Sequence, residues 1–300
     1  NGLVIPASTP FELTALGSDS DGGTITYNWE EYDLGPATAS GDNNLTNPSG
    51  NQPIFRSWPS SISPTRVFPR VNDLVNGTIT IGEHLPTYSR QLNFKCTVRD
   101  NQLNGGGFAD DLLSMSVDGS SGPFIVNAPN GGESLNADAS ATITWDVAGT
   151  NSGAVNCPSV DVYLSVDGGF TWPYELATNI INNGSATVTL PNVLSSSARV
   201  KIKGANHVFF DISNGNFTIE ENLCPSCGCT DETACNYDPG ATTDDGSCIL
   251  QEPCSCELTG SQVANLAGGE TSEALTQSAT SLAPLTTIAI ELEFDNTGST

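Results

Sequence analysis

The chain has 300 residues, and its 34 Asp and Glu against 9 Lys and Arg give a formal net charge of −25. Nucleic acids and anionic membrane surfaces are bound through clustered basic side chains, so this composition argues against both partners. No stretch of about 18 residues is continuously apolar, so we expect no membrane insertion.

Residues 1–119 contain short runs in which apolar and polar residues alternate. Alternation with a period of two predicts β-strands that have one buried face. The apolar positions are Phe11, Leu13, Ala15; Ile25, Tyr27, Trp29; Leu92, Phe94, Cys96, Val98; and Leu113, Met115, Val117. Cys96 is in phase with its apolar neighbours, so we expect it to face the core as a buried thiol or an oxidised pair.

Residues 122–221 repeat this alternation, with turn sequences such as PNGG, VDGG and NNGS between the runs. The apolar positions are Ile143, Trp145, Val147; Val162, Leu164, Val166; Ala186, Val188, Leu190; and Ala198, Val200, Ile202. About seven short strands in roughly 100 residues are typical of a β-sandwich. Cys157 precedes one of these strands, and the sequence leaves open whether it is free or paired.

Residues 223–257 carry most of the cysteines, namely Cys224, Cys227, Cys229, Cys235, Cys248, Cys254 and Cys256. A segment of about 35 residues buries too little apolar surface to fold alone and needs disulfides or a metal. Such clustering indicates an oxidising compartment or a metal site. A zinc site, the less favoured alternative, would use Cys224 and Cys227 with Cys254 and Cys256.

Residues 258–300 begin with a linker rich in Gly, Ser and Thr. Alternating Ile288, Ile290, Leu292 and Phe294 then predict one more strand, which we interpret as the start of a truncated sandwich. The chain begins NGLVIPASTPF without the features of a signal peptide. We therefore expect a fragment of a longer protein, or a chain from which the signal has been removed.

Two acidic turns are candidate calcium sites, because Ca²⁺ binds clustered oxygen ligands. Asp19 and Asp21 lie in the first turn. The second candidate set is Asp231, Asn236, Asp238, Asp244 and Asp245. The alternative is that these residues only form turns and add solubilising charge.

Catalytic motifs are absent from the sequence. There is no H-E-x-x-H, and His84 and His207 are the only histidines, so a three-histidine zinc site cannot be built from this chain. There is also no G-x-S-x-G and no phosphate-binding glycine loop. We expect no catalytic residue, no zinc site and no organic cofactor in this chain. Trp58, Tyr88, Trp172 and Tyr174 are candidates for stacking on a sugar, although burial in a core is the commoner role of such rings.

Three segments resemble known families. GSDSDGGTITYNWE (Gly17 to Glu30) and NFKCTVRDN (Asn93 to Asn101) resemble PKD-like, immunoglobulin-related domains of secreted bacterial proteins. PFIVNAPNGGESLNADASATITWDVAGTN and DISNGNFTIEE resemble the fibronectin type III-like or Ig-like module of exported zinc metallopeptidases of Bacteroidetes. In that family a PKD-like domain with phrases similar to FRSWPSSISPTRVFPR precedes the module. The resemblance covers residues 3–221, and the segment from Pro36 to Arg90 is longer than a plain PKD connection.

GCTDETACNYDPGATTDDGSC (Gly228 to Cys248) resembles the short Cys-rich repeat of flavobacterial surface and secreted proteins. Cys229 and Cys248 bracket this repeat and are therefore the favoured disulfide. The cysteines from Cys227 to Cys256 are separated by 2, 6, 13, 6 and 2 positions, a symmetric framework of six. Fifteen pairings are possible, so the partners of Cys227, Cys235, Cys254 and Cys256 stay open, and Cys224 lies outside the framework.

The resemblance implies an all-β chain of tandem immunoglobulin-like β-sandwiches followed by a disulfide-rich linker module. It further implies a non-catalytic accessory region, acting as a spacer or binding substrate or a surface, of a secreted reprolysin-like zinc metallopeptidase. The catalytic domain would lie upstream, and a carboxy-terminal signal would direct type IX secretion. The expected location is extracellular or on the cell surface, with an extracellular protein or polysaccharide as partner. The alternative is a structural or adhesive surface protein, a stalk or filament subunit that assembles through its β modules.

Overall fold

The computed structural model of the chain describes residues 2–19, 22–34, 48, 50–103, 106–222, 227–244 and 246–250. Two compact units divide the chain, Asn1–Asn222 and Leu223–Thr300. The described residues form seventeen strands and one short helix, which confirms the all-β class expected from the alternation. No helix among these residues is long and apolar enough to cross a membrane.

The first sandwich has a four-stranded sheet in the order β1-β6-β5-β3 and a two-stranded sheet of β2 and β4. Its elements are β1 (Val4–Pro6), β2 (Phe11–Thr14), β3 (Thr26–Glu31), β4 (Thr65–Phe68), α1 (Val71–Asn76), β5 (Arg90–Arg99) and β6 (Phe108–Asp118). The phenylalanines that alternation places on the inner faces meet between the sheets: the ring centroids of Phe11 and Phe68 lie 4.9 Å apart, and so do those of Phe68 and Phe94. Cys96 is buried in this core as a free thiol.

The described part of the long segment between Pro36 and Arg90, residues 48 and 50–90, completes the first core. It contributes the buried residues Ile54, Phe55 and Phe68, besides strand β4 and helix α1. The Glu31 Oε2 accepts the backbone N–H groups of Ile54 and Phe55, both at 2.6 Å, and so holds the segment against β3. The resemblance to PKD-like domains does not place this segment, because it is longer than a plain PKD connection.

The second sandwich has a three-stranded sheet, β12-β9-β7, and a six-stranded sheet in the order β11-β10-β13-β15-β8 with β14 paired to β13. Its strands are β7 (Ile125–Ala128), β8 (Ser134–Asn136), β9 (Ser140–Asp146), β10 (Ser159–Ser165), β11 (Tyr174–Ile181), β12 (Ser185–Thr189), β13 (Ser195–Gly204), β14 (Phe210–Ile212) and β15 (Phe217–Glu220). The predicted inward residues Ile143, Val162 and Val200 are fully buried in one core. Cys157 is also buried there and is free.

In the second unit, residues 227–244 and 246–250 form a small module. Strands β16 (Cys227–Gly228) and β17 (Thr243–Asp244) pair in parallel. A disulfide joins Cys229 and Cys248, the pair that the sequence favours. Cys235 is disulfide-bonded as well. Cys224, Cys254, Cys256 and the strand predicted at Ile288 to Phe294 lie outside the described residues, as does the side chain of Cys227.

Candidate functional site at the junction of the two sandwiches

The two sandwiches share backbone hydrogen bonds. Phe11 in β2 forms an antiparallel bridge with Phe209, just before β14. On either side of this bridge, the Glu12 N–H donates to the Val208 carbonyl and the Phe210 N–H donates to the Pro10 carbonyl, both at 2.9 Å. We call the contact surface around this pairing the junction. Because its backbone hydrogen bonds extend β2 into the second sandwich, the junction is a continuation of sheet structure.

Strand β13 presents three cations to the junction. Its sequence RVKIK places Val200 and Ile202 in the second core and Arg199, Lys201 and Lys203 on the opposite face, because successive strand residues point to opposite sides. The chain has only 9 Lys and Arg, so a third of its basic residues stand on one strand face. Three cationic side chains on one strand face need carboxylate or carbonyl oxygens close to them as partners.

Glu12 of the first sandwich is shared by two of these cations. Its Oε2 lies 2.7 Å from the Lys201 Nζ, and its Oε1 lies 2.6 Å from the Lys203 Nζ. Burial raises the pKa of Glu12, but attraction to Lys201 and hydrogen bonds from both lysines outweigh it and lower the pKa below its ordinary value. Burial also lowers the pKa of Lys201, and Glu12 opposes that shift. The triad is therefore a charged, largely desolvated contact between the sandwiches.

Arg199 fastens the end of helix α1 to the second sandwich. Its Nη2 donates to the Val75 carbonyl at 2.8 Å, and its Nε donates to Asn216 Oδ1 at 2.7 Å. Its Nη1 donates to the Ser213 carbonyl at 3.2 Å. The last carbonyls of a helix lack partners within the helix, so a guanidinium is a suitable donor there. The planar fork fixes three acceptors from two sandwiches at once.

Apolar side chains fill the space beside these polar contacts. Val75 of α1 is buried with Phe210 and Ile212 of β14, and Trp172 packs on the same cluster. The space is tight at Gly169, where an added Cβ would lie 3.1 Å from the Val75 side chain. Gly169 also has φ +96°, which other residues rarely adopt.

The linker between the sandwiches is held by hydrogen bonds at both ends. The Ala7 N–H donates to the Ser121 carbonyl at 2.9 Å, and the Phe124 N–H donates to Thr9 Oγ1 at 3.0 Å. Gly122 between them has φ +93°, and an added Cβ would lie 2.2 Å from the Ala7 carbonyl oxygen. Only glycine fits this close approach, so the linker has one defined path.

The junction is not predicted by the sequence, because alternation assigns each strand to a core without showing which modules touch. The available signal was the alternation of Arg199, Lys201 and Lys203 in a chain with few cations. That pattern indicates a cationic strand face but does not name Glu12 as its acceptor. The arrangement contains no nucleophile paired with a base. It orients one sandwich relative to the other.

The predicted calcium residues that the structure describes accept hydrogen bonds from backbone N–H groups, and all but Asn236 do so within a turn. Asp19 Oδ2 accepts the Gly23 N–H at 2.7 Å, and Asp231 Oδ1 accepts the Thr233 N–H at 2.8 Å. Asp238 accepts the Gly240 N–H and Asp244 accepts the Gly246 N–H, both two positions away. Asn236 accepts the N–H of Ile249, 13 positions further along the chain. Asp21 and Asp245 lie outside the described residues. Within the described ranges, no three His, Cys, Asp or Glu side chains converge as a metal site.

The other aromatic and histidine candidates make contacts within the fold. The Trp58 ring lies under the guanidinium groups of Arg56 and Arg70, at 4.8 and 4.1 Å from its centroid. Trp172 belongs to the junction, and the Tyr88 hydroxyl donates to the Gly50 carbonyl. Burial lowers the pKa of His207 to about 4, and its Nδ1 accepts the Val208 N–H.

No protein-family model matches the sequence, and no curated protein sequence matches it either. Among solved structures, an I-band fragment of titin is similar at 14% identity and a TM-score of 0.20, over 72% of this chain and 62% of the fragment. The fibronectin(III)-like modules of Clostridium thermocellum CbhA are similar at 10% identity and a TM-score of 0.23, over 73% and 90%. Fibronectin domains of chicken CNTN1 are similar at 9% identity and a TM-score of 0.24, over 70% and 65%. Scores this low carry no argument about function.

The strand order and the two cores define a class by themselves. This is an all-β protein of tandem immunoglobulin-like sandwiches, followed by a small module with a disulfide. Its distinguishing feature is a junction built from charged and apolar contacts across the two sandwiches.

Proposed function

We propose that the sandwich pair is a rigid, non-catalytic spacer in a secreted multidomain protein. The observation that carries this proposal is the double contact of Glu12 with Lys201 and Lys203 across the junction. Domains joined by a flexible linker and a small polar interface move relative to each other by default. Here the backbone bridge, the Arg199 fork and the fixed path at Gly122 oppose such motion together.

The parent protein in this proposal is a zinc metallopeptidase exported by a Bacteroidetes bacterium, with its catalytic domain elsewhere in the chain. Support comes from the resemblance of residues 3–221 to the accessory region of that family. In this role the sandwich pair sets the distance between the catalytic domain and an extracellular protein or polysaccharide. Calcium at the acidic turns, and further disulfides in the Cys-rich module, belong to the same proposal.

Rigidity is tested by a distance measurement between the sandwiches. Ile79→Cys and Ile181→Cys place spin labels at exposed positions, one in each sandwich, while Cys96 and Cys157 are buried. Pulsed electron paramagnetic resonance is expected to give one narrow distance distribution. Adding Glu12→Ala and Arg199→Ala is expected to broaden it, whereas the exposed Asp110→Ala is the control and leaves it narrow. A broad distribution in the unaltered junction would overturn the spacer proposal.

The parent protein is tested by the intact mass of the native protein from its source, compared with the 31.2 kDa of this chain. A mass tens of kilodaltons larger, with peptides that contain H-E-x-x-H, supports the metallopeptidase. A large mass without that motif favours the stalk or adhesin. The two experiments are independent, because either parent can use a rigid sandwich pair.

A further inference from the structure

Strand β6 is much longer than the strand that covers its outer edge. β1 pairs in parallel only with Ser116 to Asp118, although β6 begins at Phe108. On the other side, β5 pairs with β6 along nearly its whole length, from Phe108 to Val117. Within the part of the chain that the structure describes, residues 108–114 therefore have a sheet edge without a strand partner.

The direction of the backbone N–H and C=O groups at that edge follows from the hydrogen bonds that β6 makes with its neighbours. The Ser116 N–H points outward, because it donates to the Leu3 carbonyl at 2.9 Å. Strand residues alternate, so the N–H and C=O groups of Phe108, Asp110, Leu112 and Ser114 also point outward, and the odd residues bond to β5. The Leu112 N–H agrees with this direction, because it donates to the Asp111 Oδ1 at 2.8 Å and not to a backbone group of β5. Asp111 thus caps one donor of the open edge.

A groove of about 610 Å³ opens beside the same residues. Residues 14–18 form one wall, Ala109 to Leu113 form the other, and Trp29, Cys96 and Val98 lie between them. Leu16 at the groove is fully exposed. Phe108 and Leu112, which are 69% and 57% exposed, lie on the opposite face of β6, across from Arg99 and Lys95. An exposed apolar surface beside an open strand edge is the arrangement that receives an added strand.

We propose that the open edge of β6 and this groove form a docking site for an extended segment of a partner protein, in which apolar residues alternate with Lys or Arg. Apolar side chains of the segment pack beside Phe108 and Leu112 on the outer face of β6, and its basic side chains lie on the groove side with Asp111. Its backbone bonds to the outward groups of residues 108–114. The docked strand competes with Asp111 for the Leu112 N–H and frees the carboxylate to pair with a basic side chain. This role is separate from the spacer, because none of the junction side chains lines the groove.

Charge selects this occupant over a second copy of the chain. If two β6 edges paired with each other, Asp111 of one molecule would lie near Asp111 of the other, whereas Asp110 is already paired with Lys95. Like charges opposite each other destabilise a strand pair, and each molecule carries a net charge of −25. A segment with Lys or Arg at alternate positions instead meets opposite charge at the edge.

The test is amide hydrogen exchange of the full chain with a synthetic ten-residue peptide of alternating Lys and Val, acetylated and amidated. We expect exchange at Phe108, Asp110 and Ser114 to slow by at least about tenfold when the peptide is bound, and the amides of Ala109 and Leu113 to change little. The same peptide N-methylated at every residue keeps its charges but lacks backbone donors, so we expect about tenfold weaker binding. Equal binding of both peptides, or no protection at the outward amides, would overturn the proposal.

Protein variants separate the edge from general attraction to an acidic chain. Asp111→Lys reverses the charge at the groove, and Leu112→Pro removes an outward donor at a position where an edge strand tolerates proline. Both are expected to weaken binding of the alternating peptide by about tenfold. Glu175→Lys, at an exposed position of the edge strand β11, is the matched control for charge and is expected to retain binding.

Two outcomes contradict the proposal in these variants. If Asp111→Lys and Glu175→Lys weaken binding equally, the peptide recognises net charge and not this edge. If the outward amides are protected without peptide and lose protection on dilution, the occupant is a second copy of the chain. Asp111→Lys keeps the proposal testable if Leu112→Pro does not fold.

Discussion

The Nζ of Lys201 lies 2.7 Å from Oε2 of Glu12, although 189 positions separate the two residues in the chain. This contact joins strand β2 of the first sandwich to strand β13 of the second. Its strength depends on burial, because charges that are shielded from water attract more strongly and are more costly to leave unpaired.

Glu12→Gln tests this contact. The substitution leaves the Lys201 ammonium, whose side chain is only 9% exposed, without a carboxylate. Leaving one member of a buried pair alone typically costs about 3–5 kcal/mol, and because the Lys203 side chain is partly exposed we expect about 2–3 kcal/mol here. Urea unfolding measures the loss. Asp110→Asn is the control, since the Lys95–Asp110 pair at 2.9 Å is more exposed and exposed ion pairs contribute little to stability. Equal losses in the two variants would show that burial at the junction is unimportant.

Arg199→Lys tests the guanidinium fork. One ammonium cannot reach the carbonyls of Val75 and Ser213 and the Asn216 side chain at the same time. We expect the free energy of unfolding to fall by about 2 kcal/mol, in line with the loss of charged hydrogen bonds at a buried site. Calorimetry is expected to show the two sandwiches melting together in the natural chain and at separate temperatures in the variant. A single unchanged transition would contradict this role of Arg199.

Glu31 predicts a dependence of stability on pH. Its side chain is buried with Asp33 and Arg90, and burial followed by its contact with Asp33 raises its pKa from 4.5 to about 8. A carboxyl with a raised native pKa stabilises the fold fully below its unfolded pKa, and this contribution is lost as pH rises through the native pKa. We expect the free energy of unfolding to fall between about pH 5 and pH 8. Glu31→Gln, which cannot ionise, is expected to flatten this dependence in urea titrations. A variant with the slope of the natural chain would contradict the assignment.

The cysteines predict a pattern of alkylation. Burial raises the pKa of Cys96 to about 11, and it also raises the pKa of Cys157 above its ordinary value. Because the thiolate is the reactive form, iodoacetamide at pH 8 is expected to leave both unmodified in the folded chain and to modify both in urea. Cys229 and Cys248 are expected to react only after reduction, because they are joined. Mass spectrometry of the peptides reads all four, and rapid labelling of Cys229 without a reductant would exclude the bridge.

Calcium binding at the acidic turns remains a prediction from sequence. A ligand that binds only the folded state raises the melting temperature with its free concentration. We expect the chain to melt at a higher temperature in millimolar calcium than in chelator, and Asp231→Asn with Asp238→Asn to reduce the difference. Identical melting curves would contradict calcium binding. Asp231 and Asp238 would then only stabilise turns, through the backbone N–H groups that they accept.

The sequence alone predicted the strands whose residues alternate. Leu92, Phe94 and Cys96 face the first core, as their period of two requires, and Ile143 and Val200 face the second. It also favoured the disulfide between Cys229 and Cys248, because these two cysteines bracket the repeat that the segment resembles. These features are local, so they can be read from neighbouring positions.

Only the tertiary structure decided what lies between and beside the strands. Ile54 and Phe55 enter the core through hydrogen bonds to Glu31, and Glu12 meets Lys201 from the far end of the chain. The short reach of β1 leaves the edge of β6 open, although the alternation of β6 looks complete in sequence. Periodicity records which face of a strand is buried. It does not show which distant residue covers that face, because contacts between distant residues depend on the folding of the whole chain.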